Sequence, residues 1–503
     1  MRLLLLATSF PLLLALAAMS ASQERPPVAA RKPRLPLTVS KETTFFTAPL
    51  RQNGSVDYVE ALNRHYGKGV TPENNAVVPL LRAFGGKAIP KPARAEFYRR
   101  LGIKPLPDKG AYIAPDRWDE EFDRALEKPW TREDCPRVAK WLDANAAALK
   151  LIHTSSLRSR WYLPFAPDEE ARLLMNTIGV RLGAFQHVRM CARMLTMRAY
   201  LFLATGKTDA ALNDVFAGHR LARHLDRDGV LISSLVATVV ESVTAAASAR
   251  VVTLGKMTFK QAIDYRKELE KLGPLRGTPD CYRVGERCFG LEFTVQSARA
   301  SIRFLVALDV LPAEAKHHFG KTFGELFDLN TMLRSTNTFY DRILAISNIR
   351  DPQKRLSAGR RARETLANIA RRSNRVPEFA RTRALSSADR KRFSAWLSDK
   401  LIVRYASYFA EAMRDEDRAN TRYDLTRVAL ALAAYRAERG KYPERLPAVV
   451  PRYIPVLPVD RFSGKPLKYR LTKKAFLLYS VGENGRDDGG KHGGGPDDIA
   501  VGD

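Results

Sequence analysis

Four carboxylates stand where the sequence could put them to acid–base use. Glu241 sits in a stretch, Val230 to Val252, that is apolar nearly all round. Burial there disfavours the charged form and would raise its pKa, as a general acid requires. Asp280, Glu286 and Glu292 flank the stretch from Cys281 to Cys288 and could form a pair. Two carboxyls facing one another across a cleft are the machinery of glycoside hydrolysis. The alternative is packing, with Glu241 against a buried arginine and the others against Arg283 or Arg287. Spacing alone does not separate the two readings.

Other chemistries leave fewer traces. The chain has no HExxH, no GxSxG and no glycine-rich phosphate loop ending in Lys-Ser/Thr. His219 and His224 are five apart, which puts them on different faces of a helix. His317 and His318 are adjacent near an expected helix end. All four read as packed or surface histidines rather than ligands. The four cysteines are Cys135, Cys191, Cys281 and Cys288, and no CxxC occurs. On one helix Cys281 and Cys288 would share a face yet lie about 10 Å apart along the axis. They could pair only if the region of Gly285 broke the helix.

The elements that must position these residues come next. With 503 residues, 45% hydrophobic and 27% charged, the chain has an ordinary globular balance and length for two or three domains. Arg2, the apolar run Leu3 to Ala18 and the small residues Ser20 to Ser22 follow the order of a signal peptide over 1–22. Residues 23–43, rich in Pro, Arg and Lys, read as a flexible basic leader. An exported setting, periplasm or cell envelope, is therefore expected. The net charge is +29, spread along the chain, and removal of 1–22 would take away only Arg2. Such a chain could meet a protein or an anionic envelope surface. Nucleic acid is not expected, because the basic segment 353–392 lacks interleaved aromatics.

Apolar periodicity predicts a mainly α chain: an N-terminal helical segment over 44–125, a helical body over 126–411, and a small α+β module over 412–503. Within the first, helices are expected from Val56 to Tyr66, from a Thr71-Pro72-Glu73 start to Phe84, and from Arg94 to Leu101, with loop over 104–117. Met190 to Ala204 and Asp209 to Leu225, joined by Thr205-Gly206-Lys207, resemble one tetratricopeptide-like hairpin, but no second copy recurs at a fixed period. Val230 to Val252 reads as a central buried helix rather than a membrane span, since it carries Glu241, Arg250 and many Ser and Thr. Further helices are expected over Lys256 to Leu272 and Leu291 to Val310. The 353–392 segment is read as an exposed helix and a loop.

The C-terminal module is the most informative stretch. A helix from about Asp415 to Arg439 carries Tyr423, Val428, Leu432 and Tyr435 on one side and ends at Gly440. Then follow Tyr442-Pro443, Leu457-Pro458 with Asp460, a turn at Ser463-Gly464, Pro466 and Tyr469. A second strand spans Ala475 to Ser480, and a glycine- and aspartate-rich tail carries Gly482, Gly485, Asp498 and Ile499. This order resembles the globular part of the type II secretion major pseudopilin: a long helix plus a small antiparallel sheet. The resemblance implies a calcium ion in the terminal loop. Carried over, its ligands are the carbonyls of Leu478 and Ser480 and side chains near Asn484, Asp497 and Asp498, with Asp487 and Asp488 as further candidates. Asn484 stands where the family has an aspartate, which weakens the implied site. The prepilin-peptidase site and hydrophobic assembly helix of that family have no counterpart here, so a filament is not implied. The stretch Gly54 to Gly85 also resembles exported proteins of planctomycete bacteria, which implies a cell-envelope setting and no particular activity. The resulting expectation is an exported, non-enzymatic binding or structural protein. The alternatives are a hydrolase of polysaccharide or wall polymer, or a binder of anionic polymers through 353–392.

Overall fold

The computed structural model describes residues 37–167, 173–299, 327–374, 377, 386–472, 475–491 and 497–502. The expected signal peptide, most of the leader, residues 300–310 of one expected helix, and His317-His318 lie outside the described residues. Residues 38–43, leader-like in composition, are already held. The Thr38 N–H donates to Asn330 Oδ1, and Asn337 Nδ2 donates to the carbonyls of Glu42 and Thr43.

The fold is mainly helical with one small sheet at its C-terminal end. The first layer holds α1 (Tyr58–Tyr66), α2 (Val77–Phe84), α3 (Arg94–Leu101), α4 (Glu120–Glu127), α5 (Pro136–Ala144) and α6 (Ala146–Ser156). Helix α2 begins later than Thr71-Pro72-Glu73 predicts. The Asn75 side chain donates to the Tyr162 carbonyl and accepts from the Tyr162 and Val77 N–H groups. Clamping the 160–162 segment takes the backbone out of helical register, so the helix starts only after it.

The body is built from α7 (Ile178–Ala204), α8 (Thr208–Asp226), α9 (Leu231–Leu254), α10 (Phe259–Leu272), α11 (Glu286–Arg299), α12 (Leu329–Ser347), α13 (Pro352–Ser373) and α14 (Ser387–Arg439). Helices α7 and α8 form the expected hairpin, turning at Gly206 with φ +73°. Helix α9 is apolar all round because α7, α8 and α14 surround it. It is long and apolar enough to cross a membrane, yet 67% of its most apolar window is buried inside the protein. Helix α10 starts at a capping box in which Thr258 and Gln261 satisfy each other's backbone N–H groups.

Helix α14 has 53 residues, so it is about 80 Å long. Its C-terminal half is the helix expected from Asp415, but the chain is already helical from Ser387, whose cap is Ser386. The charged run ahead of Tyr423 is an internal contact. Glu416 and Asp417 both pair with Arg355 of α13. The Asn420 side chain exchanges hydrogen bonds with the backbone of Leu275 at 2.8 and 3.0 Å.

The sheet is an antiparallel meander of β1 (Lys468–Leu471), β2 (Phe476–Ser480) and β3 (Ile499–Gly502). Its central strand is wholly buried, and the sheet packs on α14 and α9. Phe476, Leu478, Ile499 and Val501 belong to the same apolar core as Val240 of α9 and Leu432 of α14. The motifs of the module have local work. Gly440 ends α14 in the left-handed conformation at φ +74°. Tyr469 hydroxyl donates to the Pro443 carbonyl at 2.7 Å. Asp460 is buried, and its carboxylate accepts from the Phe462 and Val481 N–H groups and the Ser480 hydroxyl. That carboxylate ties the turn before β1 to the end of β2, where the acidic loop begins.

Candidate metal centre

The loop leaving β2 can return onto itself because glycines stand where its backbone is left-handed. At Gly482, φ is +67° and an added Cβ would overlap the Asp497 carbonyl oxygen. Asp497 uses Oδ2 to accept from the N–H groups of Glu483 and Asn484 at 2.9 and 3.1 Å. Asp498 uses Oδ2 to accept from Gly490 N–H at 2.7 Å. Asp488 Oδ2 accepts from Asn484 Nδ2 at 3.0 Å and from Asp497 N–H at 3.4 Å. These bonds bring one carboxylate oxygen each from Asp488, Asp497 and Asp498 within 4.8 Å of one another.

The electrostatics of this cluster are unbalanced. Asp498 is 1% exposed, and the Oδ1 atoms of both Asp497 and Asp498 are buried with no donor among the described residues. Burial pushes the Asp498 carboxyl up, and the charges of Asp488 and Asp487 push it further. Lys468 pairs with Asp487 at 3.1 Å and Arg414 with Glu483 at 3.0 Å, and no ion pair to Asp488, Asp497 or Asp498 forms among the described residues. Carboxylate oxygens crowded together with no ion pair among the described residues fit a hard divalent ion, which takes oxygen ligands.

Of the residues the resemblance nominated, Asp497 and Asp498 are in the cluster, joined by Asp488. Asn484 points its amide nitrogen at Asp488, while its Oδ1 accepts from Arg486 N–H at 2.7 Å. Asp487 is turned to the Tyr479 hydroxyl and Lys468. Leu478 lies in mid β2, opposite Tyr469 and Val501, and Ser480 ends that strand opposite Ile499.

The acid–base candidates are dispersed. Asp280 is exposed and paired with Arg283 at 2.8 Å. Arg287, the other expected partner, binds Asp341. Glu292 binds Arg51 at 2.9 Å, a residue far back in the chain. Glu286 Oε1 accepts from Leu231 N–H at 2.8 Å, at the start of α9, and burial pushes its carboxyl up to about 7. The four cysteines are free and buried. Around Gly285 the helix does not break; it widens into a single π turn, Cys281–Gly285, ahead of α11.

Glu241 behaves opposite to the expectation from burial alone. Burial does raise its carboxyl, but Arg223 and His219 outweigh it and hold the group at about 2. His219 Nδ1 lies 2.9 Å from Glu241 Oε2, and its Nε2 lies 2.9 Å from Ser248 Oγ. Glu–His–Ser is the order of an acyl-transfer triad. All three side chains are 0% exposed, and Ser248 Oγ is also 3.1 Å from the Tyr265 hydroxyl. No substrate reaches a serine sealed in this way, so the network is structural. Sequence spacing carried half of this signal. His219 and Arg223 are i, i+4 on α8, and Glu241 and Ser248 are i, i+7 on α9. The facing of the two helices was the missing half.

No family model, curated protein or solved structure matches the chain. The case for function therefore rests on the clusters themselves.

A second buried acid yields a pH prediction. Burial pushes the Asp226 carboxyl from 3.8 up to about 7, helped by Glu416 and opposed by the Arg276 N–H and Arg223. The folded state then holds a proton that the unfolded chain releases, so stability falls as pH rises from about 4 to about 7. Asp226→Asn should flatten that fall by roughly 2 kcal/mol in urea unfolding at pH 4.5 and 7.5. An unchanged slope would remove Asp226 as its source.

Proposed function

We propose that this chain is an exported, non-catalytic binding protein of the cell envelope whose C-terminal loop is closed by a divalent cation, calcium in the first instance. The observation that carries this is the Asp488–Asp497–Asp498 cluster with its two buried, donorless oxygens. Asp488, Asp497 and Asp498 would hold the ion, with the glycine-rich backbone supplying further oxygens. Bound there, the ion supplies positive charge to carboxylates that otherwise repel. The protein's own residues do the rest. Asp497 and Asp498 anchor both ends of the loop, and Asp460 holds the preceding strand end in place. The dispersal of Asp280, Glu286, Glu292 and Glu241 supports a non-catalytic reading over a hydrolase with paired carboxylates.

The full chain is the right sample for the test, because α14 crosses residue 412 without interruption. Calcium at a hundred times its dissociation constant should stabilise the loop by about 2.7 kcal/mol relative to chelator. The readout is hydrogen exchange of the Glu483, Asn484 and Gly490 amides together with calcium titration calorimetry. Asp498→Asn should abolish both responses. Equal amide protection with calcium and with chelator would overturn the reading.

A further inference from the structure

Helix α13 presents Lys354, Arg360, Arg361, Arg363, Arg371 and Arg372 to solvent, with Glu364 the one acid in its length. Several of these are accounted for nearby. Arg361 bonds Ser357, Arg371 bonds Asn368, and Arg372 pairs with Asp399. Arg360 and Arg363, like the ammonium of Lys354, have no acceptor among the described residues, and these two alone of the three line a cleft. Three apart on the helix, they share a face and line a shallow, open cleft between α13 and α14. From α14 comes a third guanidinium, Arg414, already paired with Glu483 at 3.0 Å and with Glu411 at 4.0 Å. The one carboxylate among the lining residues, Asp417, is already neutralised by Arg355. The remainder of the lining is apolar, with Met413 and Leu356.

Like charges gathered on one small volume repel unless an anion joins them. Guanidinium forks match the oxygens of phosphate and bind it by charge-assisted hydrogen bonds. Among the described residues no aromatic ring lines the cleft to stack a base. We propose that this cleft binds a phosphate group, with Arg360 and Arg363 as its donors. The site assigns a ligand class to the binding role proposed above and does not depend on the cation at Asp498.

The test is calorimetric titration of the full chain with inorganic pyrophosphate in calcium-free, low-salt buffer. Saturable one-site binding is expected. R360Q/R363Q should lower the affinity about a hundredfold, roughly tenfold for each guanidinium removed. R361Q/R371Q, which removes equal charge from the same helix outside the cleft, should leave it nearly unchanged. Both pairs are exposed, so melting temperature should not move. Co-sedimentation with phosphatidylglycerol vesicles, lost in R360Q/R363Q, would assign the phosphate to a lipid headgroup. Pyrophosphate binding without vesicle binding would assign it to a soluble or polymer phosphate. Absence of saturable binding, or an equal loss in both variant pairs, would overturn the proposal.

Discussion

Arg223→Met should cost 3–5 kcal/mol of folding stability in urea titrations at neutral pH, the range for breaking one side of a buried ion pair. Glu241 is 0% exposed, and Arg223 is its cation. The same guanidinium donates to the Gly273 carbonyl at 3.0 and 2.8 Å and stands 5.5 Å over the Tyr423 ring. One side chain thus joins α8, α9, the end of α10 and α14, so the loss should fall in the upper part of the range. Adding Glu241→Gln to Arg223→Met should recover part of it, because the uncompensated charge is then gone. The pH dependence has a definite sign. The folded Glu241 carboxyl lies at about 2, below its ordinary 4.5. Its contribution is complete above pH 4.5 and is lost as pH falls toward 2. A cost under 1 kcal/mol for Arg223→Met would refute the structural role given to this network.

Gly285→Ala should cost about 3 kcal/mol or more, by overpacking against backbone that has nowhere to go. An added Cβ would overlap the Gly229 carbonyl oxygen. Gly229 cannot retreat easily. It is left-handed at φ +83°, and the Tyr66 ring fills the space a side chain would need. The close approach of the π turn to the 229–231 segment also delivers Glu286 to the first N–H of α9. Ala at 285 should therefore lower the urea midpoint and bring the Glu286 carboxyl back toward 4.5 in a carboxyl titration. Gly359→Ala serves as the control, since its nearest neighbour would be the Met413 methyl at 3.9 Å. A Gly285→Ala protein as stable as the control would show that the contact has slack.

Local pattern was a good guide where neighbours decide conformation. Helix α3 ends at Leu101 as its spacing predicts, with Gly102 in the left-handed region at φ +66°. The α7–α8 hairpin, the burial of α9 and the turn at Gly464 were legible for the same reason. Pattern was silent where polar residues meet partners distant in sequence. Glu416, Asp417 and Asn420 are polar, yet each is buried against a partner distant in sequence. Thr71-Pro72-Glu73 carries every local mark of a helix start, but Asn75 is recruited by Tyr162 and delays it.

By itself, then, the sequence determined the helical class, the apolar faces, the glycine turns and the set of acidic residues near the C-terminus, because these follow from propensity and periodicity over a few neighbouring positions. Which carboxylates are neutralised and which are left bare was decided only by tertiary structure. Glu292 finds Arg51, Glu241 finds Arg223, and Asp498 finds other carboxylates. Charge pairing depends on distance in space, and burial multiplies its strength by excluding water. Neither quantity is written in the spacing along the chain.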